Sequence, residues 1–318
     1  MFRNLVYILV LLSYSTISAQ QTMLFNQYTL NSYGLNPAYA GTNNKWEFMG
    51  GQHRQWIGVA DAPTTTFFSA IYTYRKDFNY SGAHGFGVYI DQDLRGMFIS
   101  KSYYASYSYH IRLNPHYKLS FGAFVGAKSM VLSQAAYNLS DPAFSQSQKP
   151  VYLYPDIIPG FRLYSKKMFV DLAIRQLYKN KIEQGSHQIG TDSKQIPHLY
   201  ITYGRKINLP NKDFMFMPTL FIQSSVKTLP LVNLGALMYY KGRIGIGANY
   251  SIHNSFTSIL HIRPSKETIF GISFTYPTNY LKYFAPNTVE VIFGFTPKVV
   301  NDKETGLRNV ARCPNFDF

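Results

Sequence analysis

Residues 101–112 read KSYYASYSYHIR, and this stretch decides the fold of the chain. Apolar or aromatic residues occupy the odd positions from 103 to 111, while Ser, His and Arg occupy the even positions apart from Tyr104. Successive side chains of a β-strand point to opposite faces, so this two-residue period predicts a strand with one apolar face. The alternation returns at 118–128 and 243–253. We therefore predict an all-β protein.

Alternation alone does not distinguish a soluble β-sandwich from a membrane β-barrel, because both present one apolar face. Many runs here reach about ten residues, which exceeds the roughly five or six of a globular strand. That length suits the roughly nine to eleven residues needed to cross a membrane at a tilt. Small and glycine residues on the polar parity also fit a curved wall around a lumen. These features predict a transmembrane antiparallel β-barrel.

The alternating runs number about fourteen, and single-chain bacterial barrels have even strand counts. We place them at 45–53, 65–76, 83–93, 98–112, 117–132, 157–165, 166–176, 197–207, 214–226, 230–241, 242–253, 255–263, 267–277 and 287–297. If the N-terminus is periplasmic, the connections after odd-numbered strands include every long one, at 54–64, 133–156, 177–196 and 278–286. Short periplasmic turns with longer outer loops are expected of an outer-membrane barrel.

The chain begins with the features of a secretory signal peptide. Arg3 precedes an apolar run from Leu5 to Leu12, and small residues lead to Ala19. The apolar run is too short to span a bilayer. We predict four parts: a signal peptide at 1–19, an N-terminal periplasmic or plug segment at 20–44, an outer-membrane β-barrel at 45–299, and a short periplasmic C-terminal tail at 300–318.

Aromatic residues form 17% of the chain, which is enough to supply girdles at both membrane interfaces. We assign to such girdles the tyrosines near predicted strand ends, namely Tyr72, Tyr74, Tyr239, Tyr240, Tyr276, Tyr280 and Tyr283. A set of buried core tyrosines is the alternative interpretation.

The chain carries a formal net charge of +15. The basic residues are dispersed along an exported chain, so they do not indicate nucleic-acid binding. The basic residues at inward-facing strand positions predict a positively charged barrel interior. Their position on a solvent-exposed face would explain them equally well. They are Lys118, Lys128, Arg162, Arg175 and Arg243.

The sequence does not indicate catalysis or metal binding. Cys313 is the one cysteine, which excludes sites built from several thiols. His253 and His261 lie too far apart along neighbouring predicted strands to share a metal. His84 has the opposite parity to Asp91 and Asp93, so they point to different faces of one strand. We predict no catalytic residues, no metal, no cofactor and no enzyme activity.

Several short motifs follow one another along the chain. Residues 25–28 read FNQY, 35–41 read LNPAYAG, and 54–58 and 62–65 read RQWIG and APTT. LYSKK at 163–167 and NTVEV at 287–291 extend the series over nearly the whole chain. In this order the motifs resemble the PorP/SprF family of the type IX secretion system of the Bacteroidetes.

The resemblance implies a non-enzymatic outer-membrane component of type IX secretion or gliding motility. Its partners would be a large secreted adhesin or other cargo with a C-terminal sorting domain, periplasmic ring or motor proteins, and outer-membrane lipid, without nucleic acid. An outer-membrane channel with a positive lumen for small solutes is the alternative function. A soluble, secreted β-sandwich adhesin is a third interpretation.

Three motifs, at 35–41, 54–58 and 62–65, supply the candidate partner-binding residues. Polar and aromatic side chains on rigid turns suit docking, and Arg and Trp are common interface hot spots. On the predicted topology, the turn at 36–41 lies at the periplasmic mouth and Trp56 at the outer one. They cannot form one surface unless the N-terminal segment threads the lumen. We expect either two separate contacts or an N-terminal plug. The candidates are Asn36, Pro37, Tyr39, Gly41, Arg54, Gln55, Trp56, Gly58, Pro63 and Thr64.

Overall fold

The structure is a computed structural model that describes the segment before the barrel and most of the barrel. The predicted signal peptide at 1–19, the stretch 133–150 of one long loop and the predicted tail at 300–318 lie outside the described residues. The described ranges are 25–43, 46–75, 82–96, 98–132, 151–178, 183–184, 187–188, 195–211, 213–225, 228–283 and 287–297.

Fourteen antiparallel strands of the described chain form one closed sheet. Each strand pairs with its neighbours in the sequence, and the last pairs with the first, so that Phe48 lies opposite Phe295. The predicted all-β, fourteen-stranded antiparallel barrel is confirmed. The strands are β1 Trp46–Arg54, β2 Thr64–Arg75, β3 Ala83–Arg95, β4 Phe98–Arg112, β5 Lys118–Leu132, β6 Val151–Tyr164, β7 Met168–Arg175, β8 His198–Arg205, β9 Phe214–Ser225, β10 Thr228–Tyr240, β11 Ile244–Ser251, β12 Ser255–Ile262, β13 Thr268–Pro277 and β14 Thr288–Phe295.

Some strand bounds differ from the prediction. β6 begins at Val151, six residues before the predicted start, because β5 continues to pair with it and Pro155 lies opposite Ala127. Two pairings were not predicted. Ile207–Asn208 pair with β9, and a two-residue hairpin of Glu183–Gln184 with His187–Gln188 lies between β7 and β8.

The barrel has two ends, named here by their connections. The turn mouth holds the start of β1, the end of β14 and the connections 113–117, 165–167, 206–213, 241–243 and 263–267. The loop mouth holds the connections 55–63 and 252–254, Gly96 between β3 and β4, and the described residues within 176–197 and 278–287. On the orientation predicted from connection length, the turn mouth faces the periplasm.

The outer wall of the barrel is apolar. Tyr103 and Tyr107 of β4 are 51% and 48% exposed, and Val125 of β5 is 57% exposed. The alternate residues of β4, such as Ser102 and Ser106, are buried inside. Polar residues inside and apolar residues outside are the arrangement expected in lipid, so the interpretation as a soluble sandwich is wrong. No helix among the described residues is long and apolar enough to cross a membrane.

Tyrosines occupy both surfaces of the wall. Tyr74 and Tyr276 are 50% and 49% exposed near strand ends, where an interfacial girdle would lie. Tyr239 is 1% exposed, and its hydroxyl lies 2.6 Å from His261 Nδ1 inside the barrel. The assignment of Tyr239 to a girdle is therefore wrong, because its neighbour Tyr240 takes the outward position and adjacent strand residues face opposite ways.

The apolar core of the protein lies inside the barrel. Five side chains from the chain before β1 belong to it: Phe25, Leu30, Tyr33, Tyr39 and Ala40. They pack against buried residues from strands around the wall, including Phe67, Tyr89, Phe124, Ile158, Met217, Leu237 and Ile292. The interior of this barrel is therefore built jointly by the wall and by the residues that precede it.

Candidate functional site

Residues 25–43, here called the N-terminal segment, run through the lumen. Every residue from Phe25 to Thr42 is buried except Asn26, which is half-buried. The segment begins near Glu290 at the loop-mouth end of β14 and reaches Ser120 near the turn-mouth end of β5. It contains one helical turn, Ser32–Leu35, and a 3-10 turn, Pro37–Tyr39.

A buried carboxylate fixes the start of the segment. Glu290 is 0% exposed and accepts from the backbone N–H groups of Asn26 and Gln27 at 2.8 and 2.9 Å. His53 Nδ1 lies 2.9 Å from the same carboxylate, and Gln55 Nε2 lies 3.3 Å from His53 Nε2. Since the carboxylate only accepts, His53 donates from Nδ1 and accepts from Gln55 at Nε2.

The middle of the segment contacts opposite sides of the wall. The hydroxyl of Tyr28 bonds to Thr219 of β9 at 2.8 Å, and that of Tyr33 bonds to Ser106 of β4 at 2.7 Å. Arg175 of β7 donates to the carbonyl oxygen of Gly34. Bonds to distant strands hold the segment across the full width of the lumen.

The turn at 36–41 folds through its own side chains. Asn36 caps the 3-10 turn, because its Oδ1 accepts from the N–H of Ala38 at 3.0 Å. Pro37 occupies the first position of that turn, where its missing N–H costs nothing. Gly41 has φ +87°, a conformation that favours glycine. The motif Asn-Pro-Ala-Tyr-Ala-Gly therefore specifies a compact turn.

The wall is shaped to receive this turn. A Cβ atom on Gly122 would lie 2.7 Å from the backbone nitrogen of Ala38, and one on Gly160 would collide with Asn36 and Pro37. Ser120 donates to the carbonyl oxygen of Ala38 at 2.8 Å. Glycines allow a backbone to approach a strand this closely, so these two line a seat for the turn.

Two side chains of β4 hydrogen-bond to the carbonyl oxygen of Ala40. It accepts from Ser108 Oγ and from His110 Nε2, each at 2.5 Å. His110 Nδ1 lies 2.7 Å from the hydroxyl of Tyr164. A carbonyl oxygen can only accept, so the proton of His110 lies on Nε2, and Nδ1 accepts from Tyr164.

Tyr39 packs against a buried ion pair. Arg162 is 0% exposed, and its Nη1 lies 2.6 Å from Oδ2 of Asp171, directly opposite on β7. The guanidinium carbon lies 4.9 Å from the ring centre of Tyr39 and 4.8 Å from that of Phe169. Both distances are typical of cation–π contacts. Arg162 therefore binds Asp171 and the ring of Tyr39 at the same time and fixes the position of that ring.

The motifs at 54–58 and 62–65 lie at the loop mouth. Arg54 and Gly58 are exposed, and Gln55 and Trp56 are partly exposed, as are Pro63 and Thr64. Trp56 has φ 49°, which is rare for a bulky residue and marks local strain. Its N–H lies 3.4 Å from Thr288 Oγ1. The adjoining N–H groups of Gln55 and Ile57 bond to Pro63 and Asn287 at 2.9 Å each.

The structure thus separates the predicted site residues into two groups. Asn36, Pro37, Tyr39 and Gly41 are buried within the lumen at the turn-mouth end. The six residues from Arg54 to Thr64 lie at the opposite mouth. Hydrogen bonds link the two groups indirectly. Gln55 contacts His53, His53 contacts Glu290, and Glu290 binds the start of the segment that carries the buried turn.

Among the residues that hold the segment, the motif analysis did not assign His53, Arg162, Asp171 and Glu290 to the site. Glu290 offered a signal, since a carboxylate on the inward parity of the last strand requires a buried partner. Arg162 and Asp171 offered another, because a short hairpin places them opposite each other. His53 offered none, because its partner lies 237 residues away.

The predicted positive interior is wrong for the described part of the barrel. Lys118 and Arg243 lie at the turn mouth, and Arg243 is exposed to solvent. Arg162 is paired with Asp171, and Lys128 interacts electrostatically with Asp91. The buried carboxylates offset the inward cations, and they are Glu47, Asp91, Asp93, Asp156, Asp171 and Glu290.

The residues considered for catalysis lie on different faces. His84 bonds to the hydroxyl of Tyr107 on the outer wall, while Asp91 and Asp93 are buried inside. His261 lies opposite Gly245, and His253 lies in the turn before β12. Within the described ranges, no group of three or more His, Cys, Asp or Glu residues could hold a metal ion.

A family model described as "Type IX secretion system membrane protein PorP/SprF" matches residues 17–295. No curated protein matches the chain. Among solved structures, the Acinetobacter baumannii outer membrane protein Omp33 is similar with a TM-score of 0.47 and 8% identity, covering 81% of this chain and 100% of Omp33. The Ralstonia pickettii toluene transporter TbuX has a TM-score of 0.44 and 9% identity, over 83% of this chain and 92% of TbuX. A Pseudomonas aeruginosa FadL homologue has a TM-score of 0.43 and 9% identity, over 81% of this chain and 91% of the homologue.

Proposed function

The chain belongs to the PorP/SprF family of type IX secretion system membrane proteins, and we propose that it works in the outer membrane as a non-enzymatic docking component. The loop mouth binds a secreted adhesin or other cargo, or its C-terminal sorting domain. The turn mouth meets the periplasmic ring or motor proteins. The N-terminal segment in the lumen carries this proposal, because it leaves the two mouths as the surfaces available for binding.

The filled lumen argues against the alternative of a solute channel. A channel needs a continuous aqueous path, whereas the N-terminal segment is bonded to β4, β5, β7, β9 and β14 along its length. The buried side chains of the segment pack in the same core as those of the wall.

The loop around Trp56 is suited to binding cargo. Trp and Arg are enriched among interface hot spots, and a fixed loop loses little entropy when it binds. Ile57 and Val59 beside Trp56 are 42% and 39% exposed, which adds apolar area. Hydrogen bonds from Gln55 to Pro63 and from Ile57 to Asn287 hold the strained backbone of Trp56 in place. Backbone strain of this kind is concentrated at functional sites such as binding loops.

We expect Trp56→Ala to abolish display of cargo on the cell surface while barrel abundance and heat-modifiable migration stay unchanged. The reason is that Trp56 is not part of the lumenal core. Antibody labelling of cargo on intact cells measures the effect. Trp46→Ala is the matched control, since Trp46 is 45% exposed at the opposite mouth and should preserve display. Normal display in the Trp56→Ala strain would contradict the proposal.

A further inference from the structure

The turn mouth carries a strong excess of positive charge. Within the described ranges, ten exposed or half-exposed Lys and Arg residues surround this end of the barrel, against two such acidic residues, Asp213 and Glu267. The ten, here called the basic ring, are Arg112, Lys118, Lys166, Lys167, Arg205, Lys206, Lys241, Arg243, Arg263 and Lys266.

The basic ring surrounds the opening and does not face the lipid band. Arg112 and Lys118 continue the inward parity of Ser108 and Ser120, and Arg263 continues that of His261. Lys166, Lys167, Lys241 and Lys266 lie in connections beyond the strand ends, whereas Arg205 takes the outward parity. Most of the charge therefore points toward the aqueous phase around the barrel axis.

With both acidic residues counted, the exposed and half-exposed side chains described at this mouth still carry an excess of eight positive charges, ten minus two. Lys241 Nζ lies 3.7 Å from Asp213 Oδ2, but their side chains are 54% and 48% exposed, and water weakens such a pair. Like charges on neighbouring turns repel one another, and a partner of opposite charge would relieve that repulsion.

Apolar side chains lie among the charges. Leu113 is 54% exposed, Ile207 39% and Tyr117 37%, and all three lie at the turn mouth. All three take the outward parity, because Leu113 and Tyr117 share the parity of Ile111 and Leu119 on their strands and Ile207 lies opposite Phe216, so they border the lipid band. The inward cations around the axis lie instead where a water-soluble protein would reach them.

We propose that the basic ring is a docking surface for an acidic face of a periplasmic protein. The inference rests on the proposed function for its orientation, which places the turn mouth in the periplasm. Charge complementarity identifies the partner by its chemistry, namely a face whose carboxylates lie opposite the basic ring.

A first test uses a fluorescein-labelled poly-L-glutamate peptide and the purified full-length barrel in detergent. We expect Lys166→Glu/Lys167→Glu to weaken binding at least about tenfold, and added salt to weaken binding to the native barrel. Lys282→Glu at the loop mouth is the matched control for Lys166→Glu, since each replaces one exposed lysine and changes the net charge equally. Equal weakening by these two single variants, or no weakening by Lys166→Glu/Lys167→Glu, would overturn the inference.

A second test identifies the class of partner in cells. A photo-crosslinking amino acid in place of His116, which is exposed in the turn between β4 and β5, should give a protein adduct that Lys166→Glu/Lys167→Glu removes and Lys166→Arg/Lys167→Arg retains. An adduct with lipid alone would assign the ring to the membrane surface and overturn the inference. So would a protein adduct that is indifferent to charge. Trp56→Ala concerns the opposite mouth, so this inference and cargo binding can fail separately.

Discussion

Deletion of residues 25–42 is expected to turn a closed barrel into a conducting pore. The segment fills the lumen, and barrels only slightly larger than this one hold an aqueous channel when nothing occupies them. Planar-bilayer recordings should show no channel events for the native protein and steady conductance for the deletion variant. Heat-modifiable migration establishes that the variant is folded. A folded deletion variant as silent as the native barrel would contradict the plugged lumen.

A single residue offers a milder form of the same experiment. Gly122→Leu should displace the turn at 36–41 and give intermittent conductance, because a Cβ there lies 2.7 Å from the nitrogen of Ala38. Val125→Leu on the outer face of the same strand is the control and should stay silent.

Arg162→Met is expected to lower the free energy of unfolding by about 3–5 kcal/mol. The substitution leaves the buried carboxylate of Asp171 without its charge partner, and an uncompensated buried charge is the costly half of a broken ion pair. It also removes the cation from beside the ring of Tyr39. Reversible unfolding in urea with lipid vesicles measures the change.

The paired replacement separates the two causes. Arg162→Met/Asp171→Leu should recover much of the lost stability, because no charge is left unpaired. A double variant as unstable as Arg162→Met alone would show that the contact with Tyr39, and not the ion pair, carries the effect.

The barrel wall could be predicted because each strand shows its two faces locally. The alternation at 101–112 identifies the outward side of β4 without knowledge of its neighbours, and Tyr107 and Ser106 lie on the predicted faces. The strand count then gives the two mouths, since the connections alternate between them. These features depend on a period of two residues within one strand.

The occupant of the lumen could not be predicted in the same way. Ser106 and Gly122 have the appearance of residues that face water, yet one bonds to Tyr33 and the other lies against Ala38. Their partners are 73 and 84 residues away, and no periodicity records such contacts. The motif at 35–41 revealed a compact turn, but it did not reveal that this turn bonds to β4, β5 and β6 inside the barrel.

The most direct measurement of the plugged barrel is a disulfide across the seat. Ser120 Oγ lies 2.8 Å from the carbonyl oxygen of Ala38, so Ala38→Cys/Ser120→Cys in a Cys313→Ser background should cross-link in isolated outer membranes. Ala38→Cys/Thr257→Cys, with the second cysteine on β12, is the control and should not. Cross-linking of the first pair alone is the predicted result. Free thiols at both positions, with the cysteine that replaces Ala38 open to an impermeant reagent, would contradict a segment seated in the lumen.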